Sequence, residues 1–111
     1  MEIIESHSNG VVIVEPRGRM DSTTAKPFGD RVVELIRGGS HHLLIDLQQV
    51  LYISSAGFRS LLIARKLIDE FRGKLVLCGM SAELKRLFEI GHFTDLFLIC
   101  STRDDGVTKA Q

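Results

Sequence analysis

Leu43-Leu44-Ile45-Asp46-Leu47-Gln48-Gln49-Val50-Leu51-Tyr52-Ile53-Ser54-Ser55-Ala56-Gly57-Phe58-Arg59-Ser60-Leu61-Leu62 is the stretch on which the fold turns. Its first five residues form a short apolar run, the pattern of a central strand buried on both faces, and a helix packed on each face explains such burial. A short loop follows, then two serines, then a helix predicted over residues 57–71 that ends at Gly73, a residue able to take the left-handed C-terminal conformation.

Working outward, residues 2–6 and 11–15 are β-rich runs separated by His7-Ser8-Asn9-Gly10, and Asn-Gly is a strong hairpin signal. After Pro16-Arg17-Gly18, the segment Met20-Asp21-Ser22-Thr23-Thr24 supplies N-cap residues for a first helix. Its apolar positions Phe28, Val32, Leu35 and Ile36 recur at helical spacing until Gly38-Gly39. Pro27 belongs in a first turn, so the start is expected near Thr23 or Thr24. Lys74-Leu75-Val76-Leu77-Cys78 is a second buried strand. Ser81 caps a third helix carrying Leu84, Leu87, Phe88 and Ile90 and ended by Gly91, and residues 97–100 make a last short strand. The polar tail from about residue 101 is left between a frayed helix and disorder. The order β-β-α-β-α-β-α-β predicts one α/β domain over 1–111, with a mixed sheet of four or five strands, an N-terminal antiparallel hairpin and three to four helices.

Composition narrows the function. At 111 residues the chain buries roughly 65% of its unfolded surface, enough for one core. With 44% hydrophobic and 25% charged residues it is too apolar for disorder, yet it has no apolar run of about 18 residues to cross a membrane. Fourteen basic and fourteen acidic side chains cancel, so no bulk field draws in nucleic acid or anionic lipid. The acidic N-terminus lacks a secretory pattern, making the cytoplasm the expected compartment. Cys78 and Cys100 match neither a CxxC redox pair nor a zinc site and read as small core hydrophobes.

The chemistry concentrates at the two serines. Ser55 is read as the N-cap of the second helix, with Ala56 and Gly57 keeping bulk low beside it, and Ser54 as bonding the loop backbone. A phosphate on Ser55 would meet unpaired N–H groups and the positive end of the helix dipole, bringing about −1.5 to −2 charges. Around this helix Gly57, Leu61, Ala64, Ile68 and Phe71 share one face, while Arg59, Ile63, Lys66 and Glu70 share the opposite one. Ile63 is then an exposed apolar residue framed by charge, with Phe58 and Leu62 flanking it beside the serines, a patch suited to protein docking. The alternative for Phe58 is packing under the preceding loop.

Leu44-Ile45-Asp46-Leu47, followed by Tyr52-Ile53-Ser54-Ser55-Ala56-Gly57-Phe58, resembles the signature of STAS domains, especially bacterial anti-sigma factor antagonists. Gly18-Arg19-Met20-Asp21, residues 74–79 and residues 81–88 fall in matching places, so the likeness is colinear over nearly the whole chain. The resemblance implies that Ser55 is the serine phosphorylated by a partner kinase. It places Asp21 at the family's acidic position near the site, and Ser54 where the family usually carries Asp. That departure removes one negative charge beside the phosphoacceptor and makes Ser54 the alternative modified residue. The implied partners are a serine-kinase anti-sigma factor of the histidine-kinase-like ATPase fold, bound when the chain is unphosphorylated, and a metal-dependent serine phosphatase that restores binding. The docking residues expected are Phe58, Arg59, Leu62, Ile63 and Lys66.

Competing readings fare worse. Tyr-Ile-Ser-Ser-Ala-Gly lacks the glycine that a G-x-S-x-G nucleophile elbow places before its serine, and no triad accompanies it, so no catalytic residue is expected. His41 and His42 start a strand and point to opposite faces, which excludes them as a metal pair. Gly38-Gly39 follows a helix instead of opening one, so no phosphate-cradling loop and no cofactor is expected. The remaining alternative is a non-switching scaffold or small-ligand sensor module of a larger signalling complex.

Overall fold

A computed structural model describes residues 1–111. In chain order it contains β1 (Glu2–Ser8), β2 (Val11–Met20), α1 (Ala25–Arg37), β3 (His42–Asp46), β4 (Val50–Ile53), α2 (Ser55–Glu70), β5 (Lys74–Cys78), α3 (Ala82–Ile90), a 3₁₀ turn (Thr94–Leu96), β6 (Leu98–Cys100) and α4 (Arg103–Ala110). The mixed sheet runs β1-β2-β3-β5-β6. β1 and β2 pair antiparallel through an Asn9-Gly10 turn with both residues at positive φ, 52° and 80°. That is the geometry of a two-residue turn whose twist suits the hairpin. All other pairings are parallel.

The sheet has six strands, the additional one being β4, which pairs with β2. β2 runs ten residues, past Pro16, and changes partner along its length: Val12, Ile13 and Val14 lie beside β3, whereas Gly18, Arg19 and Met20 lie beside β4. The register shifts between Gly18 and Arg19, where Gly18 takes φ +110°. Such a conformation suits glycine, which has no Cβ to clash. Pro16, without an N–H, lies in the gap between the two parallel pairings.

Alternation along the strands divides the side chains between two layers. Val12, Val14, Leu43, Ile45, Leu75 and Leu77 join the large core under α1, α2 and α3. Val11, Ile13, Leu44, Val76 and Cys78 face the other way and are covered by Val107 and Ala110 of α4. The tail is therefore a packed helix. Thr102 caps it by accepting from Asp105 N–H at 3.1 Å, and a Cβ on Gly106 would stand 2.6 Å from Leu44 Cδ1, so glycine lets the helix approach the sheet. Arg103 Nε donates to Asp46 Oδ2 at 2.8 Å, and its other arm donates to Glu15. Both carboxylates are buried and anchor the start of α4.

Two local expectations need correction. Helix α2 does not end on a left-handed Gly73: Arg72 takes that conformation, φ 57°, and Gly73 does not. Glycine is required there because a Cβ would fall 2.1 Å from the His41 carbonyl oxygen. Helix α1 starts at Ala25, and its preceding Thr24 makes no side-chain cap; Pro27 lies in the first turn as expected. Cys78 and Cys100 are register neighbours on β5 and β6 and both are free thiols. Burial, reinforced by the neighbouring Asp46, pushes the Cys78 thiol up to about 12.

Candidate functional site

The chain enters α2 directly from β4, and the junction sets the roles of the two serines. Ser54 is still extended, φ −94° and ψ 175°, and its N–H donates to the Met20 carbonyl at 2.9 Å, continuing the β2 pairing. Its hydroxyl oxygen accepts from Gly57 N–H at 3.4 Å, and its carbonyl accepts from Phe58 N–H at 3.0 Å. Ser54 is thus the N-cap, correcting the assignment of that role to Ser55. The cap falls one residue earlier because β4 holds the chain extended up to Ser54. Ser55 is the first helical residue and is exposed, its hydroxyl not engaged by the cap. Gly57 allows this close entry: a Cβ would lie 2.6 Å from Ile53 Cγ1 and 3.0 Å from Met20 Cγ.

Asp21 holds the adjacent β2–α1 turn. Its Oδ1 accepts from Thr23 N–H at 3.0 Å, from Thr23 Oγ1 at 2.8 Å and from Thr24 N–H at 3.3 Å. The Thr23 hydroxyl bond, followed by the backbone N–H, keeps the Asp21 carboxyl below its ordinary range, so it is an anion. Its bonds serve the turn, and the turn's Met20 carbonyl in turn seats Ser54.

Helices α1 and α2 meet over small residues. Ser60 Oγ donates to the Ala25 carbonyl at 2.9 Å, and a Cβ on Gly29 would stand 3.0 Å from the same Ser60 oxygen. Above this contact runs an open groove of about 510 Å³, with Lys26 and Asp30 on the α1 wall, Arg59 and Ile63 on the α2 wall, and Ser55 among its lining. Ile63 is 52% exposed, Arg59 and Lys66 are exposed, and Leu62 is half-buried. These four reach the surface. Phe58 does not: it is buried, stacked on Phe93 with centroids 4.2 Å apart and edge-on to Phe88 at 4.9 Å. It packs toward α3 and belongs to the core, so it offers no surface to a docking patch.

Other residues beside the serines escaped the sequence reading. Ser22, Lys26 and Asp30 reach the site only through the α1–α2 contact, which nothing local in the sequence announces. Leu51, 71% exposed, and Tyr52, whose ring lies 4.5 Å from the Arg19 guanidinium carbon, sit on the unanticipated β4. The signal available was the β-rich composition of Val50-Leu51-Tyr52-Ile53 itself.

Comparison with known proteins agrees with this architecture. The profile of the STAS domain family matches residues 3–106. The chain is 28% identical over 104 residues to BtrV of Bordetella bronchiseptica, provisionally named an anti-sigma factor antagonist, covering 94% of this chain and 90% of that one. It is 27% identical over 112 residues to the anti-sigma F factor antagonist of Paenibacillus polymyxa, covering all of this chain and 96% of the other. Among solved structures, an anti-sigma factor antagonist from Mycobacterium paratuberculosis superposes with a TM-score of 0.88 at 20% identity, covering 98% of this chain and 92% of that one. The chain belongs to the STAS domain family. No helix in it is long and apolar enough to cross a membrane.

Proposed function

We propose that this chain is an anti-sigma factor antagonist that works by partner switching: it binds a serine-kinase anti-sigma factor while Ser55 is unmodified and releases it once Ser55 is phosphorylated. The observation that carries the reading is the division of labour at the start of α2, where Ser54 caps the helix and Ser55 stands exposed beside the groove. The relatives named as anti-sigma factor antagonists support the partner class. SpoIIAA, which shares the fold with a TM-score of 0.74, is known in unphosphorylated and phosphorylated forms.

The kinase is of the histidine-kinase-like ATPase fold and supplies the chemistry; this chain is its substrate and not an enzyme. The Ser55 oxygen bonds to the γ-phosphorus of ATP, the bond to the β-phosphate oxygen breaks, ADP leaves and the hydroxyl proton passes to a base on the kinase. The new dianion beside Arg59, Leu62 and Ile63 must lose water if the partner is to cover it, a cost that falls on the complex alone. A metal-dependent serine phosphatase hydrolyses the ester and restores binding. The cycle depends on ATP and belongs to the cytoplasm.

The test is incubation with the candidate kinase and ATP, read by intact mass and phosphopeptide mapping. The natural chain and Ser54→Ala should each gain one phosphoryl group, and Ser55→Ala none while still binding the kinase. Phosphate mapped to Ser54, or equal kinase affinity before and after modification, overturns the proposal. A chain that binds its partner but is never modified is instead the scaffold or sensor module.

A further inference from the structure

Arg59 stands one helical turn beyond Ser55 on α2, and both line the groove whose opposite wall carries Lys26. Side chains four residues apart on a helix have Cβ atoms about 5–6 Å apart, and an acidic group preceding a basic one at this spacing is the favourable order. Arg17, Arg31, Arg65 and Arg103 are each held by a carboxylate. Arg19, Arg37, Arg59, Arg72 and Arg86 have no such partner, and of these Arg59 alone lines the groove; the first turn of α2 contains no acidic residue to compete for it. Lys26 is engaged only by Asp30, at 2.9 Å, in an exposed pair of the kind that contributes little. The groove thus holds beside the hydroxyl one free guanidinium, one loosely held ammonium and the single carboxylate of Asp30 that the ammonium already faces. A guanidinium fits phosphate bidentately, which an ammonium does not.

We propose that a phosphate on Ser55 is captured within the chain itself by Arg59, with Lys26 as the second cation, so that modification withdraws from the docking face a guanidinium otherwise open to a carboxylate of the kinase. This rests on Ser55 being the phosphoacceptor. The switch then acts by exchange of partners at Arg59 as well as by the cost of desolvating the phosphate.

Phosphoserine installed at position 55 during translation makes the test independent of any kinase. Phosphorus-31 NMR of the full chain, titrated with pH, reads the second ionisation of the phosphate. Capture holds this midpoint below that of the same chain unfolded in urea. Arg59→Gln should raise it by about 0.3–0.5 pH, a two- to threefold change in proton affinity, and Arg59→Lys should recover only part. Lys26→Gln should produce a smaller rise. An identical midpoint in the natural chain and Arg59→Gln overturns the capture while leaving Ser55 as phosphoacceptor intact. A kinase that modifies another residue overturns the phosphoacceptor and leaves the titration standing.

Discussion

Ser54 and Ser55 are chemically identical and one backbone step apart, yet only one keeps its hydroxyl free of the helix cap. The half-buried Ser54 spends its amide, carbonyl and hydroxyl on Met20, Phe58 and Gly57, while Ser55 faces solvent. Ser54→Ala should therefore lower stability by about 0.5–1 kcal/mol, toward the low end for a lost cap because the bond is long, and Ser55→Ala by less than about 0.5 kcal/mol. Urea midpoints of the two variants check this, and the reverse order would return the cap to Ser55. The importance of the Ser-Ser-Ala-Gly junction was legible from residue types alone. Which serine caps was not, because it depends on where β4 releases the chain. Phe58 was misplaced for a related reason: its partners Phe88 and Phe93 lie thirty or more residues on, beyond the reach of a helical wheel.

Elements announced by both periodicity and punctuation were legible: the Asn-Gly hairpin, α1 before Gly38, the apolar β3 and β5, and α3 behind its capping Ser81. Those lacking either signal were not. β4 is only four residues long, and its run Val50-Leu51-Tyr52-Ile53 is apolar throughout although Leu51 points into solvent, so neither its length nor its burial pattern marks it off from the loop before it. α4 brings only Val107 and Ala110 to the core beside Gly106, and is held by Arg103 to carboxylates 57 and 88 residues away in sequence. A comparable long-range tie joins β1 to α1, where Arg31 donates to Glu5 across 26 residues. The Arg31 hydrogen bond, opposed by partial burial, keeps the Glu5 carboxyl below its ordinary value of 4.5. A depressed folded value means that this stabilisation is fully present above the unfolded value and fades as pH falls through the folded one. Glu5→Gln should cost about 0.5–1 kcal/mol at pH 7, and the difference from the natural chain should close as pH falls below ~4.5. Urea unfolding at neutral and acid pH measures both; a gap independent of pH would remove the charge from the explanation.

On the scale of the molecule, the proposed docking surface is built by two helices that a sequence reading treats separately. α2 supplies Arg59, Ile63 and Lys66, and α1 supplies the facing wall with Lys26. Ile63 contributes nothing to the core at 52% exposure. Ile63→Asp should thus weaken kinase binding by more than about tenfold while shifting stability by no more than about 0.5 kcal/mol. Calorimetric titration and thermal melts of the same sample separate the two effects, and a large stability loss with normal binding by the folded fraction would place Ile63 outside the interface. The opposite side of the sheet is covered far more thinly, by α4 alone, and beneath it sits Cys78. A reagent that attacks thiolates finds almost none at Cys78 while the helix is down, since burial has pushed that thiol up to about 12. Cys100, half exposed on the neighbouring rung, need not wait. The ratio of their alkylation rates is a built-in stopwatch, timing how often the last helix lifts from a protein that is otherwise still folded.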